Sequence, residues 1–397
     1  MIYFDNTATS AIELEVLDAM LPYLKEEYGN PSSKYYYKAE NARNAVEDAR
    51  EKVANLLGAV PEEIIFTAGA TESTNFIIKG YMDYRRYYED GKNHIITSTV
   101  EHKATLNTCR YLNGEIYSND DPTINLLGEK RKVNRGYEAS FVSPNSEGII
   151  CSEDVKKSIK ENTAMCSVIY VNNETGSVSE LKSIASCCIE KDIVFHSDLT
   201  QAIGKIDVNV HDLGLDYASC SAHKIYGPKG IGAAYVKNDA YGIRPLTALI
   251  HGGEQEYGYR AGTLAVHNIV GFGKAAEIAL RDIEKNRQHI SEMDDKLCLE
   301  LNKLGFIRNT VERMSRVSGI VSIIIEKKDF NNERFIKRMS DKIAISAGSA
   351  CSLGKPSYVI KELGLQGKET KVLRISLSKY TTETEIMTLI EILKNNI

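Results

Sequence analysis

The chain has 397 residues, of which 43% are hydrophobic and 26% charged, enough for two or three domains around a sizeable buried core. A net charge of −5 excludes a general electrostatic affinity for nucleic acid or an anionic membrane, and only Lys130, Arg131, Lys132 and Arg135 form a local basic cluster. No apolar run approaches the roughly 20 residues that span a bilayer, and Met1-Ile2-Tyr3-Phe4-Asp5-Asn6 lacks the basic and apolar regions of a signal peptide, so a cytoplasmic protein is expected, with no membrane contact and no direct nucleic-acid binding.

The first clear element is an amphipathic helix over 39–57, where Ala42, Val46, Ala49, Val53 and Leu56 recur at alternating steps of four and three. Gly58 and Pro61 close it. A short buried strand is predicted over 63–67, followed by Gly69-Ala70-Thr71 and another apolar helix. Strand-then-helix alternation recurs, with strands predicted at 94–98, 166–171, 193–197 and 232–236. That interleaving requires crossover connections, hence an α/β fold with a mainly parallel sheet and ligands at the carboxyl ends of its strands. Residues 111–147 read as loop-rich, being polar and weakly periodic with Gly114, Asp120-Asp121-Pro122, Gly128 and Gly136. Loops of that length are usually functional or disordered. After about Gly262 charged helical segments run over 266–304, with strands predicted at 319–325 and 372–377. The last helix has a capping box, Thr382 with Glu385 three residues on, ahead of Ile386, Leu389, Ile390 and Leu393.

Eight cysteines, at 109, 151, 166, 187, 188, 220, 298 and 351, include no C-x-x-C pair. That argues against a disulfide framework or structural metal site and for small buried hydrophobes. Cys351 is the exception. It is centred in Ile345-Ser346-Ala347-Gly348-Ser349-Ala350-Cys351-Ser352-Leu353-Gly354, a run of small residues that leaves a thiol accessible and suits a nucleophile.

The richest chemistry lies in Ser221-Ala222-His223-Lys224-Ile225-Tyr226-Gly227-Pro228-Lys229-Gly230. Lys224 follows two anion-binding side chains, Ser221 and His223, and precedes a glycine-rich turn. It is a plausible anchor for pyridoxal phosphate held as a Schiff base, or else a solvated loop lysine. Ala70 and Thr71 at a helix start offer backbone amides and a hydroxyl to a phosphate, or form an ordinary capped turn. Asp198 ends a predicted strand, where a carboxylate holds a pyridine nitrogen protonated or caps a helix; Gln201 could reach the same ligand. His102 lies just past a strand end, placed to stack on a planar cofactor and move protons, or to serve as a structural histidine. Asn173 forms a turn or hydrogen-bonds a ligand. Arg374, amid apolar neighbours, suits a carboxylate or a structural ion pair.

Taken together the stretches resemble the cysteine desulfurases of the class V, fold-type I pyridoxal-phosphate enzymes. The resemblance runs in order through Tyr3-Phe4-Asp5-Asn6-Thr7-Ala8-Thr9, Gly29-Asn30-Pro31-Ser32-Ser33, Gly69-Ala70-Thr71-Glu72-Ser73, Glu101-His102-Lys103 and Val171-Asn172-Asn173-Glu174. It continues through the Lys224 stretch, His251-Gly252-Gly253, Arg260-Ala261-Gly262-Thr263, Ser349-Ala350-Cys351 and Leu373-Arg374-Ile375-Ser376-Leu377, nearly the whole chain. It implies a large domain over 15–262 with a mainly parallel seven-stranded sheet. The smaller α+β domain would be 1–14 with 263–397, carrying the cysteine segment.

The resemblance also assigns roles. Lys224 would carry the cofactor and move protons at the substrate's Cα, Asp198 would pair with the pyridinium nitrogen, and His102 would stack and act in acid–base steps. Gln201 would contact the ring's phenolic oxygen; Ala70, Thr71, Ser221 and His223 would hold the phosphate, with Thr263 reaching it from the neighbouring subunit of a homodimer. Asn173 and Arg374 would bind L-cysteine, and Cys351 would take its sulfur as a persulfide for an acceptor protein, with L-alanine as co-product. No metal is implied beyond a transient iron–sulfur contact at Cys351. The acceptor pathway stays open among iron–sulfur assembly, tRNA thiolation and DNA phosphorothioation, as does cysteine against selenocysteine. A selenocysteine or cystine lyase, another class V lyase and a sulfur-relay scaffold are the alternatives. Departures from the family pattern are the four residues between Cys351 and Pro356, Tyr35 where histidine is frequent, the missing third glycine after Gly253, and the long 111–147 segment, either a docking element or a plain surface loop.

Overall fold

The computed structural model of the chain describes residues 1–115, 132–239, 242, 244–348 and 357–397. Its strands in chain order are Ile2–Tyr3 (β1), Ile64–Thr67 (β2), His94–Ser98 (β3), Glu138–Val142 (β4), Thr163–Ser167 (β5), Val194–Asp198 (β6), Tyr217–Ser221 (β7), Gly232–Val236 (β8), Ile307–Asn309 (β9), Ile320–Ile325 (β10), Ile343–Ala344 (β11) and Val372–Ser376 (β12). Seven of them form the central sheet, ordered β2-β8-β7-β6-β5-β3-β4. β8 runs antiparallel to both its neighbours, and the remaining pairings are parallel. β2 and β7 flank β8, so their carboxyl ends emerge on the same edge as those of β3, β5 and β6.

Helices cover both faces of this sheet, which is why its inner strands are buried along almost their whole length. The two-residue strand period divides them between two cores: Ile64 and Phe66 join one, Ile65 the other. On the first face lie the helices Leu14–Lys25, Tyr37–Leu57 and Val266–Arg281; on the second lie Ala70–Tyr88 and Lys103–Leu112. Gly273 touches Ala49 so closely that a Cβ there would lie 2.6 Å from the Ala49 Cα, so the two longest helices of the first face meet backbone to backbone. A third core joins β10 and β12 to the helices Ile283–Lys303, Asn332–Arg338 and Glu383–Asn396. Phe4 belongs to it, and β1 pairs in parallel with β11. The capping box at Thr382 forms as expected, with Thr382 Oγ1 accepting from Glu385 N and Glu385 accepting from Thr382 N.

Two expectations need correction. Residues 111–147 are not a continuous loop: a helix runs to Leu112 and Glu138–Val142 forms the edge strand β4 beside β3. An edge strand with one face in solvent has no apolar run to betray it; the part of the segment over 116–131 lies outside the described residues. The strand expected at 166–171 begins at Thr163 and ends at Ser167, because Thr163 and Ala164 pack into the sheet without bulky side chains to mark them. The charged helical segments expected over 266–304 are two helices, parted at Asp282. Of the described cysteines, 109, 166, 188 and 220 are buried as expected, while 151, 187 and 298 are only partly so.

Candidate active site

Lys224 is presented by β7. The strand ends at Ser221, and Ala222–Lys224 form a single 3-10 turn locked by Ala222 N donating to Ile231 O (3.2 Å) and Gly227 N donating to Ala222 O (3.0 Å). Tyr226, two residues on, adopts φ +65°, a left-handed conformation that costs a non-glycine residue on the order of 1 kcal/mol. Its surroundings hold it there: its N–H donates to Ser10 Oγ (2.9 Å), its hydroxyl accepts from Lys379 N (3.0 Å), and its ring meets Tyr380 edge-on. The N-terminal segment closes over this turn. Lys224 Nζ donates to the carbonyls of Thr7 (2.5 Å) and Ala8 (2.6 Å), and Ser10 N donates to His223 O (3.0 Å).

A cavity of about 710 Å³ opens beside Lys224 at the carboxyl edge of the sheet. Its walls include Ala70, Thr71, His102, Asn173, Asp198, Gln201, Ser221, His223, Lys224 and Arg374, so ten of the twelve residues singled out by sequence converge on it. Thr263 does not line it; it is exposed, just past Gly262. Cys351 lies outside the described residues.

Each wall residue has a local cause. Asp198 ends β6, buried, with Oδ1 accepting from Thr200 N (2.9 Å). His102 caps the helix Lys103–Leu112, its Nδ1 accepting from Ala104 N (3.2 Å), so a neutral ring carries its proton on Nε2. Gly69 ends the β2 turn at φ +151°, and a Cβ on Gly232 would stand 2.6 Å from its Cα. The first-turn amides after it have no acceptor within the helix and point toward the cavity end of the Ala70–Tyr88 helix. Glu72 fixes this turn by accepting from Ala68 N (3.0 Å) and pairing with Arg260 (2.9 Å).

The two asparagines divide the labour that sequence left undecided. Asn172 builds the turn, accepting from Glu174 N (2.8 Å) and Thr175 N (3.1 Å). Asn173 gives only its backbone carbonyl, which accepts from Arg374 Nη1 (2.8 Å), and its Oδ1 is buried without a partner. Arg374 also pairs with Asp5 (2.7 Å), yet its Nε is unpartnered. Arg374 and Asn173 both line the cavity, and a guanidinium with an amide suits a ligand bearing both an anionic and an amino group.

The remaining electrostatics favour an anion. Lys224, Lys229 and Arg374 face Asp198, while Glu72 is neutralised by Arg260. Burial, and then the charges of Lys224, Lys229 and Lys205, bring the His223 imidazole down to about 4. It is neutral at pH 7, with Nδ1 sharing a hydrogen bond with Thr9 Oγ1 (3.1 Å). The donor set fits pyridoxal phosphate: amides and hydroxyls for a phosphate at one end, a strand-end carboxylate for a ring nitrogen, and an amine for an aldehyde.

Sequence reading passed over Thr7, Ala8, Lys205 and Glu174. The first two act through backbone carbonyls, which no side-chain pattern reveals. Glu174 is buried, with Oε2 accepting from Ser357 Oγ (2.5 Å), and a Cβ on Gly348 would stand 2.8 Å from the same oxygen. Burial raises its carboxyl above the usual range. One carboxylate thus meets both Gly348 and Ser357, the described residues that bracket Cys351.

A sequence profile for Aminotransferase class-V matches residues 2–389. The chain is 40% identical over 390 residues to "Cysteine desulfurase IscS" of Rickettsia massiliae, covering 97% of this chain and 88% of that one. It is 39% identical over 395 residues to the protein of the same name from Plasmodium falciparum, spanning 98% of this chain and 66% of the relative. Among solved structures, a "NIFS-LIKE PROTEIN" superposes with a TM-score of 0.86 at 32% identity, covering 99% of this chain and 98% of the other. "SspA in complex with cysteine" does so with 0.78 at 34%, covering 96% and 100%. The chain belongs to the class-V aminotransferase family, on a fold shared with NifS-like proteins.

Proposed function

We propose that the protein is a pyridoxal-phosphate-dependent cysteine desulfurase, converting L-cysteine to L-alanine and passing the sulfur through Cys351 to an acceptor protein. One observation carries the reading: Lys224, Asp198 and His102 meet in a cavity whose wall bears Asn173 and Arg374, next to the residues that bracket Cys351. The names of the relatives support it, as does a structural neighbour, SspA, solved in complex with cysteine. No helix among the described residues is long and apolar enough to cross a membrane.

When bound, the cofactor supplies an electron sink for charge developing at the substrate's Cα. Every other task falls to the chain. Ala70, Thr71, Ser221 and His223 hold the phosphate, and Asp198, oriented by Thr200 N, holds a proton on the ring nitrogen. Lys224 binds the aldehyde carbon and moves a proton between its own nitrogen and the substrate's Cα; the Thr7 and Ala8 carbonyls mark where that nitrogen rests. Arg374 and Asn173 take the carboxylate and amino end of cysteine, and His102 stacks on the ring with a transferable proton at Nε2. The Cys351 thiolate then attacks the substrate sulfur. The carbon–sulfur bond breaks with its electron pair left on carbon, a sulfur–sulfur bond forms, and a proton delivered to carbon completes alanine. Carbon is reduced as sulfur is oxidised, so no external oxidant enters.

Thr263, exposed and away from the cavity of its own chain, fits a role across a homodimer interface. Phe4 sharing the third core supports grouping residues 1–14 with 263–397 as the smaller domain. A cytoplasmic setting accords with thiol chemistry. The test is direct: the cofactor-loaded protein with L-cysteine and a reductant should yield alanine and sulfide in equal amounts. Full cofactor loading without alanine would refute the reading.

A further inference from the structure

Behind Lys224 stands a second lysine that the reaction just described does not use. Lys205 lies on the turn that follows β6, four residues after Gln201, and its Nζ donates to Gln201 Oε1 (3.1 Å). The Gln201 amide, buried, donates from Nε2 to the Thr7 carbonyl (3.0 Å), the same oxygen that accepts from Lys224. Lys205 and Lys224 therefore meet through one glutamine and one carbonyl. Gly204 brings the two turns together: its φ is +68°, and a Cβ there would stand 2.9 Å from Ile225, the residue after Lys224. Both lysines line a small cavity of about 40 Å³ under the N-terminal segment.

What surrounds Lys205 is as telling. Lys224 and His223 face it from the β7 turn, and Arg287, Arg316 and Lys379 line the adjoining cavities from the other elements packed there. Each of those last three already has a carboxylate, Asp207, Asp294 and Glu13 respectively. Lys205 acquires none among the described residues, and its hydrogen-bond acceptor is a neutral amide. Burial, and then the charge of Lys224, bring its amine down to about 7. A carboxylate at this position would neutralise both lysines; a neutral acceptor leaves two cations in each other's field.

We propose that Lys205 is a positioning residue for the Lys224 site: its amine fixes the Gln201 amide with the oxygen turned away from the cavity, and, while protonated, its charge stands behind Lys224 to disfavour protonation of that nitrogen. The inference rests on the reading that pyridoxal phosphate occupies the cavity. Its consequences are local. A glutamine locked by Lys205 presents its NH2 group, a donor, on the Lys224 side, where the cofactor's phenolic oxygen needs one. A less basic Lys224 nitrogen leaves more of the amine unprotonated and nucleophilic near neutral pH.

The test uses the cofactor-loaded protein and reads the pH midpoint of its visible absorption change, which reports the proton on the Lys224 nitrogen. Lys205→Met should move that midpoint upward, by as much as about one pH unit, since a neighbouring positive charge is lost. Lys205→Arg, which keeps charge and donors, should leave it within a few tenths of a unit of the parent. If Lys205→Met does not fold, Lys205→Gln decides by the same titration. A normal visible band with an unshifted midpoint in the neutral variant overturns this inference and leaves the cofactor reading intact. Absence of any visible band from the loaded parent protein overturns both.

Discussion

Lys224 Nζ donates to the carbonyl oxygen of Thr7 at 2.5 Å, across 217 residues of chain. The lysine turn and the N-terminal segment are thus parts of one site, and the helix-and-sheet framework brings them together. Lys224→Ala should abolish covalent capture of pyridoxal phosphate on borohydride reduction and abolish turnover. It should also destabilise the protein by about 0.5–1.5 kcal/mol, since the Ala8 carbonyl loses a donor while the Thr7 carbonyl keeps that of Gln201. Denaturant unfolding and mass spectrometry of the reduced protein check the two halves separately.

Arg374 lines the cavity while holding a structural pair with Asp5, and its buried Nε has no partner. Lys at this position keeps a charge but loses the planar fork. Arg374→Lys should therefore raise KM for cysteine roughly 10- to 150-fold, the equivalent of one lost charge-assisted hydrogen bond of about 1.5–3 kcal/mol. The effect on kcat should be smaller. Steady-state kinetics with cysteine varied at saturating cofactor separates the two.

Glu101 gives a pH signature. It is fully buried between Ser98 Oγ (2.5 Å) and Ile169 N (2.9 Å), and burial pushes its carboxyl up to about 8. A folded pKa above the unfolded value means stability that is complete below about 4.5 and is lost as pH rises through 8. Glu101→Gln removes that titration. Its stability relative to the parent should improve from about pH 5 to pH 8 and level off above that, measured as the difference in urea midpoint. A difference independent of pH would show that Glu101 is ionised in the fold.

The buried imidazoles His94 and His196 act with the opposite slope. Burial lowers them to about 4 and about 3, so each contributes stability that is present above pH 6.5 and drains away as pH falls toward 4. For His94 the loss is on the order of 3 kcal/mol. His94→Gln, which can keep partners in Thr163 and Ser140, should flatten the acid limb of the stability profile.

Ser357 Oγ meets Glu174, whose other oxygen is already unpartnered. Ser357→Ala should cost about 1–3 kcal/mol and slow sulfur transfer to Cys351 more than it changes cysteine binding. The rate of persulfide formation, set against the cysteine-induced spectral change of the loaded enzyme, distinguishes these effects.

What was legible in the sequence follows from how each residue signals. Lys224, Asp198 and His102 announced themselves because polar groups at strand ends interrupt apolar runs, and the parallel sheet followed from the alternation that placed them. The 94–98 and 232–236 strands were placed to the residue, since both are buried on two faces. β4 was missed because its outer face is in solvent, and the start of β5 because Thr163 and Ala164 are small. The contacts of Lys205, Thr7 and Glu174 could not be read: they run through a neutral amide, a backbone carbonyl and a buried carboxylate respectively, and those of Thr7 and Glu174 span long separations. Glu254, standing where the family usually has a third glycine, is exposed and needs no accommodation.

The central claim is that sulfur leaves cysteine through Cys351. Its most direct measurement is mass spectrometry of the Cys351 peptide after the loaded enzyme meets one equivalent of L-cysteine and is trapped with an alkylating agent. The account predicts one additional sulfur atom on that peptide, in step with the alanine formed, and neither product from the Cys351→Ala variant. Alanine formed at the parental rate by Cys351→Ala, with no added sulfur on any cysteine of the parent, would contradict it.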